Sequence, residues 1–388
     1  MMVSIVGWGH TAFGKHPDKS LEELIRLVGT EALTHAAIDP ADVDGIWIGH
    51  FNAGMVADGF PSSLALAIDP ALRFCPATRV ENACASGSAA VFAARNAIEA
   101  GQAKIALVIG VEKMTHLPTA EVAAALGHAS YQPEESGFTF PQVFARFAQA
   151  YNQQYGDQTG VLAKIAAKNH QNAMANPLAQ LHKPLTVEFC ATVSDRNPIV
   201  AAPLKVTDCS LVSDGAAAIV LVSDDIAQSM ARSVRFRAAA QVSDYLPMSQ
   251  RDLTAFEGPR EAIRRAKLQA GVSNVDLHVA EVHDCFTIAE LMIYEAMELA
   301  PRGRGEQAIK DGVVYKGGAL PVNLSGGLKA KGHPVGATGV SMHVMVARQV
   351  LGEADDMQVP DASVGMVFNM GGSGVANYCS ILEAERLA

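Results

Sequence analysis

Short runs of β-branched and small apolar residues alternate along the chain with longer stretches whose apolar positions recur every three or four residues, the pattern of strands alternating with amphipathic helices. The runs predict strands at residues 3–6, 45–48, 104–110, 216–222, 279–282 and 363–369. Ser20 followed by Glu23 is a capping box and predicts a helix reaching about Ala37. Gly101 marks the stop of a helix over 86–100.

The two halves of the chain repeat each other weakly. Glu31-Ala32-Leu33 leads through Asp42-Val43-Asp44 and an apolar run to His50-Phe51, and Glu261-Ala262-Ile263 leads through Asn274-Val275-Asp276 to His283-Asp284-Cys285-Phe286. The loop and helix from Cys84 to Ala100 match those from Gly332 to Gln349. Helix, loop, strand and loop in the same order twice imply two similar α/β halves, 1–240 and 241–388. Within the first, about 115–205 breaks the pattern with polar and aromatic helices and reads as an inserted loop domain. Its crowded Phe138, Phe140, Phe144, Phe147, Tyr151 and Tyr155 hint at a lid or an interface, or else close an ordinary core.

With 388 residues, 49% hydrophobic and 18% charged, and a mean hydropathy of +0.15, the chain can bury a large core and is neither disordered nor a small disulfide scaffold. A net charge of −10 without a basic stretch argues against nucleic acid as a partner. No run approaches the roughly 18 apolar residues of a membrane span, and residues 1–10 lead straight into a strand with no export signal. Six cysteines without CxxC spacing suit reduced thiols in a cytoplasm, and no metal site is expected.

Four loops carry candidate chemistry. In Val80-Glu81-Asn82-Ala83-Cys84-Ala85-Ser86-Gly87 a strand ends, a cysteine follows among tiny residues, and a helix begins, where a helix dipole and an imidazole would lower the thiol pKa. Gly332-His333-Pro334-Val335-Gly336 opens a second helix and offers His333 as a base, with Lys329 and Lys331 just before it. His283 and Cys285 follow the strand 279–282, at the end of a strand where α/β sheets present reactive groups. Asn369-Met370-Gly371-Gly372 ends the strand 363–369 in glycines whose N–H groups suit an oxyanion hole, or simply a tight turn. Gly9 to Lys15 matches GxxxxGK, but His16 occupies the Ser/Thr position and Pro17 opposes the helix, so nucleotide binding is set aside. His50, His116, His170 and His343 are taken as structural or surface residues.

Together these loops resemble the thiolases over essentially the whole chain. His283-Asp284-Cys285-Phe286 and Lys329-Ala330-Lys331-Gly332-His333-Pro334 resemble the sterol-carrier-protein-type branch and the related archaeal and bacterial acetyl-CoA acetyltransferases. The resemblance implies a five-layered αβαβα fold of two βαβαβαββ halves, with a loop domain on the first, assembled as a homodimer or tetramer. It implies thiolysis of a 3-oxoacyl-CoA or Claisen condensation of acetyl-CoA, with coenzyme A as substrate and no permanently bound cofactor.

By the same resemblance Cys84 carries the acyl group, and His333 takes its proton. His283 and His333 hold the enolate oxygen with a water, the N–H groups of Cys84 and Gly371 face the tetrahedral oxygen, and Lys329 and Lys331 touch CoA or are solvated. Other thiolases have Cys-x-Gly where this chain has Asn369-Met370-Gly371, so the second acid/base falls to Cys285. Three further readings stay open: transfer to a non-CoA acceptor in complex with a small zinc-ribbon and OB-fold protein, a retro-aldol lyase, and a noncatalytic acyl-CoA-binding subunit.

Overall fold

The apolar runs become strands, most of them a residue or two longer than the pattern marks. A computed structural model describes residues 2–385; Met1 and residues 386–388, the outer ends of the two expected halves, lie outside it. The strands are β1 (Val3–His10), β2 (Gly45–Gly49), β3 (Ala77–Val80), β4 (Ile105–Glu112), β5 (Ile199–Ala201), β6 (Leu204–Lys205), β7 (Gly215–Ser223), β8 (Val234–Ser243), β9 (Val279–Val282), β10 (Val364–Gly371) and β11 (Ala376–Ala384). β5 and β6 form a hairpin in the loop segment, and the other nine make one sheet in the order β3-β2-β4-β7-β1-β8-β11-β10-β9.

That order displays the internal repeat. β2 runs parallel to β3 and β4, and β9 runs parallel to β10, while β7 and β11 are the antiparallel partners of β4 and β10. The halves meet at a two-pair ladder, Ser4 with Arg235 and Ile5 with Val234. A lone parallel bridge from Ala280 to Val322 stands where the second half would repeat β3. β8 pairs with β11 along its whole length, so residue 240, where the sequence divided the halves, lies inside a strand of the second.

Five layers follow from where the helices pack. Leu21–Ala36 covers β1, β4 and β7 on one outside, and Glu257–Ala270 covers β8 and β11 on the other. Between them Ser86–Glu99 lies against Val335–Leu351, which touches β4 and β7 as well as β10 and β11, so the sheet wraps around this central pair. The capping box forms as read, with Glu23 N donating to Ser20 Oγ at 3.1 Å and Ser20 N to Glu23 Oε2 at 2.7 Å. Gly101 ends Ser86–Glu99 at φ 71°. Gly9 lies inside β1, which removes the nucleotide loop.

Four of the six loop-domain aromatics are core and not a lid, while Phe138 is exposed and Tyr155 partly buried. Phe140, Phe144, Phe147 and Tyr151 share one face of the Phe140–Tyr155 helix and are buried, Phe144 stacking on Phe286 at 4.6 Å. Their spacing of four, three and four residues is that of a helix stripe. No helix among the described residues is long and apolar enough to cross a membrane.

Candidate active site

The central helix pair carries one candidate group at the start of each helix. β3 ends at Val80, and the chain turns through Ala83, held at φ 50° in the left-handed region that costs an L-residue roughly 1–2 kcal/mol. Asn82 N donates to Ser86 Oγ at 2.9 Å, and that hydroxyl donates to Ala83 O at 2.6 Å, which locks the turn and aims Cys84 inward. His333 enters from the other helix. Its backbone N donates to Ser213 Oγ at 3.0 Å, and its Nδ1 lies 2.7 Å from Thr338 Oγ1.

The thiol is not activated at rest. Burial pushes Cys84 up to about 12, the charge of Glu112 adds to the rise, and the N–H groups of Gly372 and of Cys84 itself offset it in part. The expected lowering by the helix start is overturned, because a sulfur enclosed this fully loses more solvation than the dipole returns. Burial, with Lys331 adding, pulls His333 down to about 3. The resting pair is therefore a neutral thiol and a neutral imidazole.

Hydrogen bonding settles which nitrogen of His333 is basic. The single hydroxyl proton of Thr338 goes to Pro334 O at 3.0 Å, so Thr338 Oγ1 accepts the Nδ1 proton. Nε2 keeps its lone pair and has no partner among the described residues. Glu112 fixes the loop that follows: its buried carboxylate accepts from Gly336 N, Phe51 N and Asn52 N, each at 3.0 Å, and lies 3.2 Å from His50 Nδ1.

β9 delivers the third loop. His283 is fully buried, its ring 5.2 Å from that of His333 and nearly perpendicular to it. Its Nδ1 lies 2.8 Å from Asn369 Nδ2, and its Nε2 is unpartnered. Burial drives the Cys285 thiol well above its ordinary value, and nearby Cys84 adds to the rise. Between them Asp284 points away from the cavity and accepts from Leu328 N at 2.7 Å, Lys329 N at 3.2 Å and Asn169 Nδ2 at 2.8 Å. Burial and the charge of Glu290 raise Asp284 to about 7. The same Asn169 amide reaches Glu290 at 2.6 Å, which bolts the loop-domain helix Thr159–Ala173 to the His283–Cys285 turn.

Cys84, Cys285 and His333 line a cavity of about 400 Å³ whose wall is mostly apolar, with Met114, Val122, Leu126 and Phe140 on it and Lys183, Arg196 and Lys329 among its polar members. Ligand-type atoms of Cys84, His283 and His333 lie within 4.8 Å of one another, so the fold gathers from three distant loops what the chain spacing kept apart.

Both lysines are buried, which overturns the solvated alternative. Lys329 is buried on the cavity wall, with Nζ donating to Cys209 O at 2.6 Å. Lys331 is buried in the core, donating to Ser341 Oγ at 3.1 Å and lying 3.8 Å from Glu281. Neither is solvated, and Lys331 faces carboxylate and hydroxyl groups of the core. Gly371 and Gly372 border a second cavity of about 670 Å³ with Asn82 and Ala83, and it is the N–H of Gly372 that faces the Cys84 sulfur. Cys379 is core.

Three contributors escape sequence reasoning: Glu112, Thr338 and Asn169. Thr338 had a signal, a hydroxyl five residues after His333 in the glycine-rich helix start. Glu112 and Asn169 had none, because their partners come from distant segments.

A buried nucleophile, a lone-pair imidazole and backbone N–H groups around an apolar cavity are the equipment of covalent acyl transfer. Residues 3–225 match the thiolase N-terminal domain and residues 239–384 the thiolase C-terminal domain-like model. The chain belongs to the thiolase family. It is 36% identical over 374 residues to the acetyl-CoA acetyltransferase of Methanothermobacter thermautotrophicus, covering 96% of this chain and 97% of that one. It is 32% identical to sterol carrier protein 2 of Bos taurus, covering 96% of this chain and 70% of that protein. Among solved structures it resembles an Ltp2-ChsH2(DUF35) aldolase, with TM-score 0.83 and 25% identity over 99% of this chain and 98% of that one.

Proposed function

We propose that the protein is an acyl-CoA C-acyltransferase that passes an acyl group through a Cys84 thioester, in thiolysis of a 3-oxoacyl-CoA or condensation of acetyl-CoA. The observation that carries this reading is the unprotonated Nε2 of His333 in one buried group with the Cys84 sulfur at the foot of an apolar cavity. Because the thiol is neutral at rest, the base acts during attack. Cys84 Sγ bonds to the thioester carbon as its proton passes to His333 Nε2, and the carbonyl oxygen turns toward the N–H groups of Cys84 and Gly371. Collapse breaks the carbon–sulfur bond to CoA, whose sulfur takes the proton back from His333.

In condensation Cys285 takes a proton from the α-carbon of a second acyl-CoA, with the enolate oxygen held by His283 and His333 through a water. The carbanion attacks the Cys84 thioester, and the thiolate leaves to be reprotonated. In thiolysis these steps run backwards. Burial keeps Cys285 protonated at rest, so it works as a base only after its own proton has passed to His333 Nε2, free again once CoA has left, and that proton then goes to the departing Cys84 thiolate. Coenzyme A enters as substrate, and Lys329 lies where the cavity wall would meet it.

The reading extends to assembly and place. β3 is the free edge of the sheet, and the segment before it exposes Phe60 and Phe74, so a second copy of the chain is proposed to cover this edge. The aldolase named for two components supports a small zinc-ribbon and OB-fold protein as a further partner, tested by co-elution. Six free cysteines suit a cytoplasmic setting. The test of the activity is loss of acetoacetyl-CoA absorbance on adding CoA. Wild type turns over and Cys84→Ala does not; equal rates for the two refute the thioester.

A further inference from the structure

Asn369 occupies the position where other thiolases have a cysteine, and the fold gives it a distinct task. It lies on β10 and is fully buried. Its Nδ2 is 2.8 Å from His283 Nδ1 and 3.4 Å from the carbonyl oxygen of Cys84, while its Oδ1 has no partner. A carbonyl oxygen can only accept, so the amide atom facing it must be the NH₂ end. The opposite orientation would set two acceptor oxygens against each other. With NH₂ fixed there, Asn369 donates to His283 Nδ1, which must then be the unprotonated nitrogen. The ring proton is left on Nε2, which no atom of the described residues engages.

We infer that Asn369 is a positioning residue that fixes His283 as the Nε2–H tautomer, so that the two histidines around Cys84 have opposite roles. His333 shows the cavity a lone pair, because Thr338 takes its Nδ1 proton. His283 shows it a proton, because Asn369 fills its Nδ1 lone pair. Proton acceptor and hydrogen-bond donor are thus assigned before substrate arrives, each by one neighbour. One consequence concerns metals. Cys84, His283 and His333 are close enough to suggest a ligand set, but His283 offers a proton where a cation needs a lone pair.

The inference rests on the acyl-transfer reading for its kinetic part and is independent of it for the tautomer. In ¹⁵N-histidine-labelled protein, with His283 assigned by its loss in His283→Asn, the Nδ1 resonance appears at the position of an unprotonated ring nitrogen. A protonated Nδ1 overturns the inference whatever the enzyme does. Asn369→Asp supplies only acceptors and moves the ring proton to Nδ1, whereas Asn369→Ala leaves both tautomers accessible.

Condensation, which needs the enolate held, should fall by roughly 10²-fold or more in Asn369→Asp and less in Asn369→Ala, the loss appearing in kcat with little change in KM. Acylation of Cys84 by acetyl-CoA should persist in both. A role in packing alone predicts the reverse order, since Asp is the closer match in shape, and both half-reactions would suffer together; that result refutes the assignment. If wild-type Cys84 accepts no acyl group, the acyl-transfer reading fails while the nitrogen resonance still decides the tautomer.

Discussion

Gly339 is where the two central helices touch, and Gly339→Ala should open the site from a distance. A Cβ there would lie 2.2 Å from Ser88 N, 2.5 Å from Ser88 Oγ and 2.7 Å from Asn369 Oδ1. Ordinary contact begins at 3.4 Å, so the helices must part by about 1.2 Å against backbone that cannot rotate away. Ser88 belongs to the helix that follows Cys84, and Gly339 to the helix that follows His333. The displacement therefore widens the gap between nucleophile and base.

Misplacing reacting groups by about 1 Å costs on the order of 10²-fold in rate. Overpacking costs roughly 1–3 kcal/mol, and the better helix propensity of alanine returns about 1 kcal/mol. The variant should fold, lose roughly 0–2 kcal/mol in urea unfolding, and acylate Cys84 roughly 10²-fold more slowly by rapid-quench mass spectrometry. A folded variant that acylates within about threefold of wild type would show that this contact does not set the gap.

Glu112→Gln leaves one acceptor oxygen for three buried N–H groups at 3.0 Å and should cost about 2–4 kcal/mol in urea unfolding, while slowing acylation through the loosened His333 loop. Burial holds His10 and His333 down to about 3 and His170 and His343 down to about 4, against an ordinary 6.5, so between these limits the unfolded chain binds protons that the folded chain does not. Unfolding free energy should accordingly fall as pH drops from about 6.5 towards 4, read from urea midpoints across that range; a flat profile contradicts neutral buried imidazoles. Cys285→Ala should take an acetyl group on Cys84 at the wild-type rate and fail to condense it, and normal condensation removes Cys285 from the mechanism.

Much of the architecture was legible because it is written locally. β9 coincides with its apolar run from Val279 to Val282, the capping box of Ser20 and Glu23 forms as spaced, and the two-fold recurrence of helix, loop and strand survives as the mirrored order of strands. β8 was not legible, since Arg235 and Arg237 interrupt it and its pairing with β11 comes from the far end of the chain. The four loops could be marked as reactive from residue type alone. Their protonation could not, because it depends on neighbours distant in sequence. Cys84 reads as an activated thiol at a helix start until burial is known. Lys331 reads as a surface cation until Ser341 and Glu281 close over it, and Asn369 reads as a missing cysteine until its amide is found against His283.

The central claim is that Cys84 is the acyl carrier, and intact-protein mass after mixing with acetyl-CoA tests it most directly. One added acetyl group is expected, mapped by peptide analysis to Cys84, absent in Cys84→Ala and lost again when CoA is added. No adduct with any acyl-CoA or 3-oxoacyl-CoA, or an adduct that survives Cys84→Ala, would contradict it.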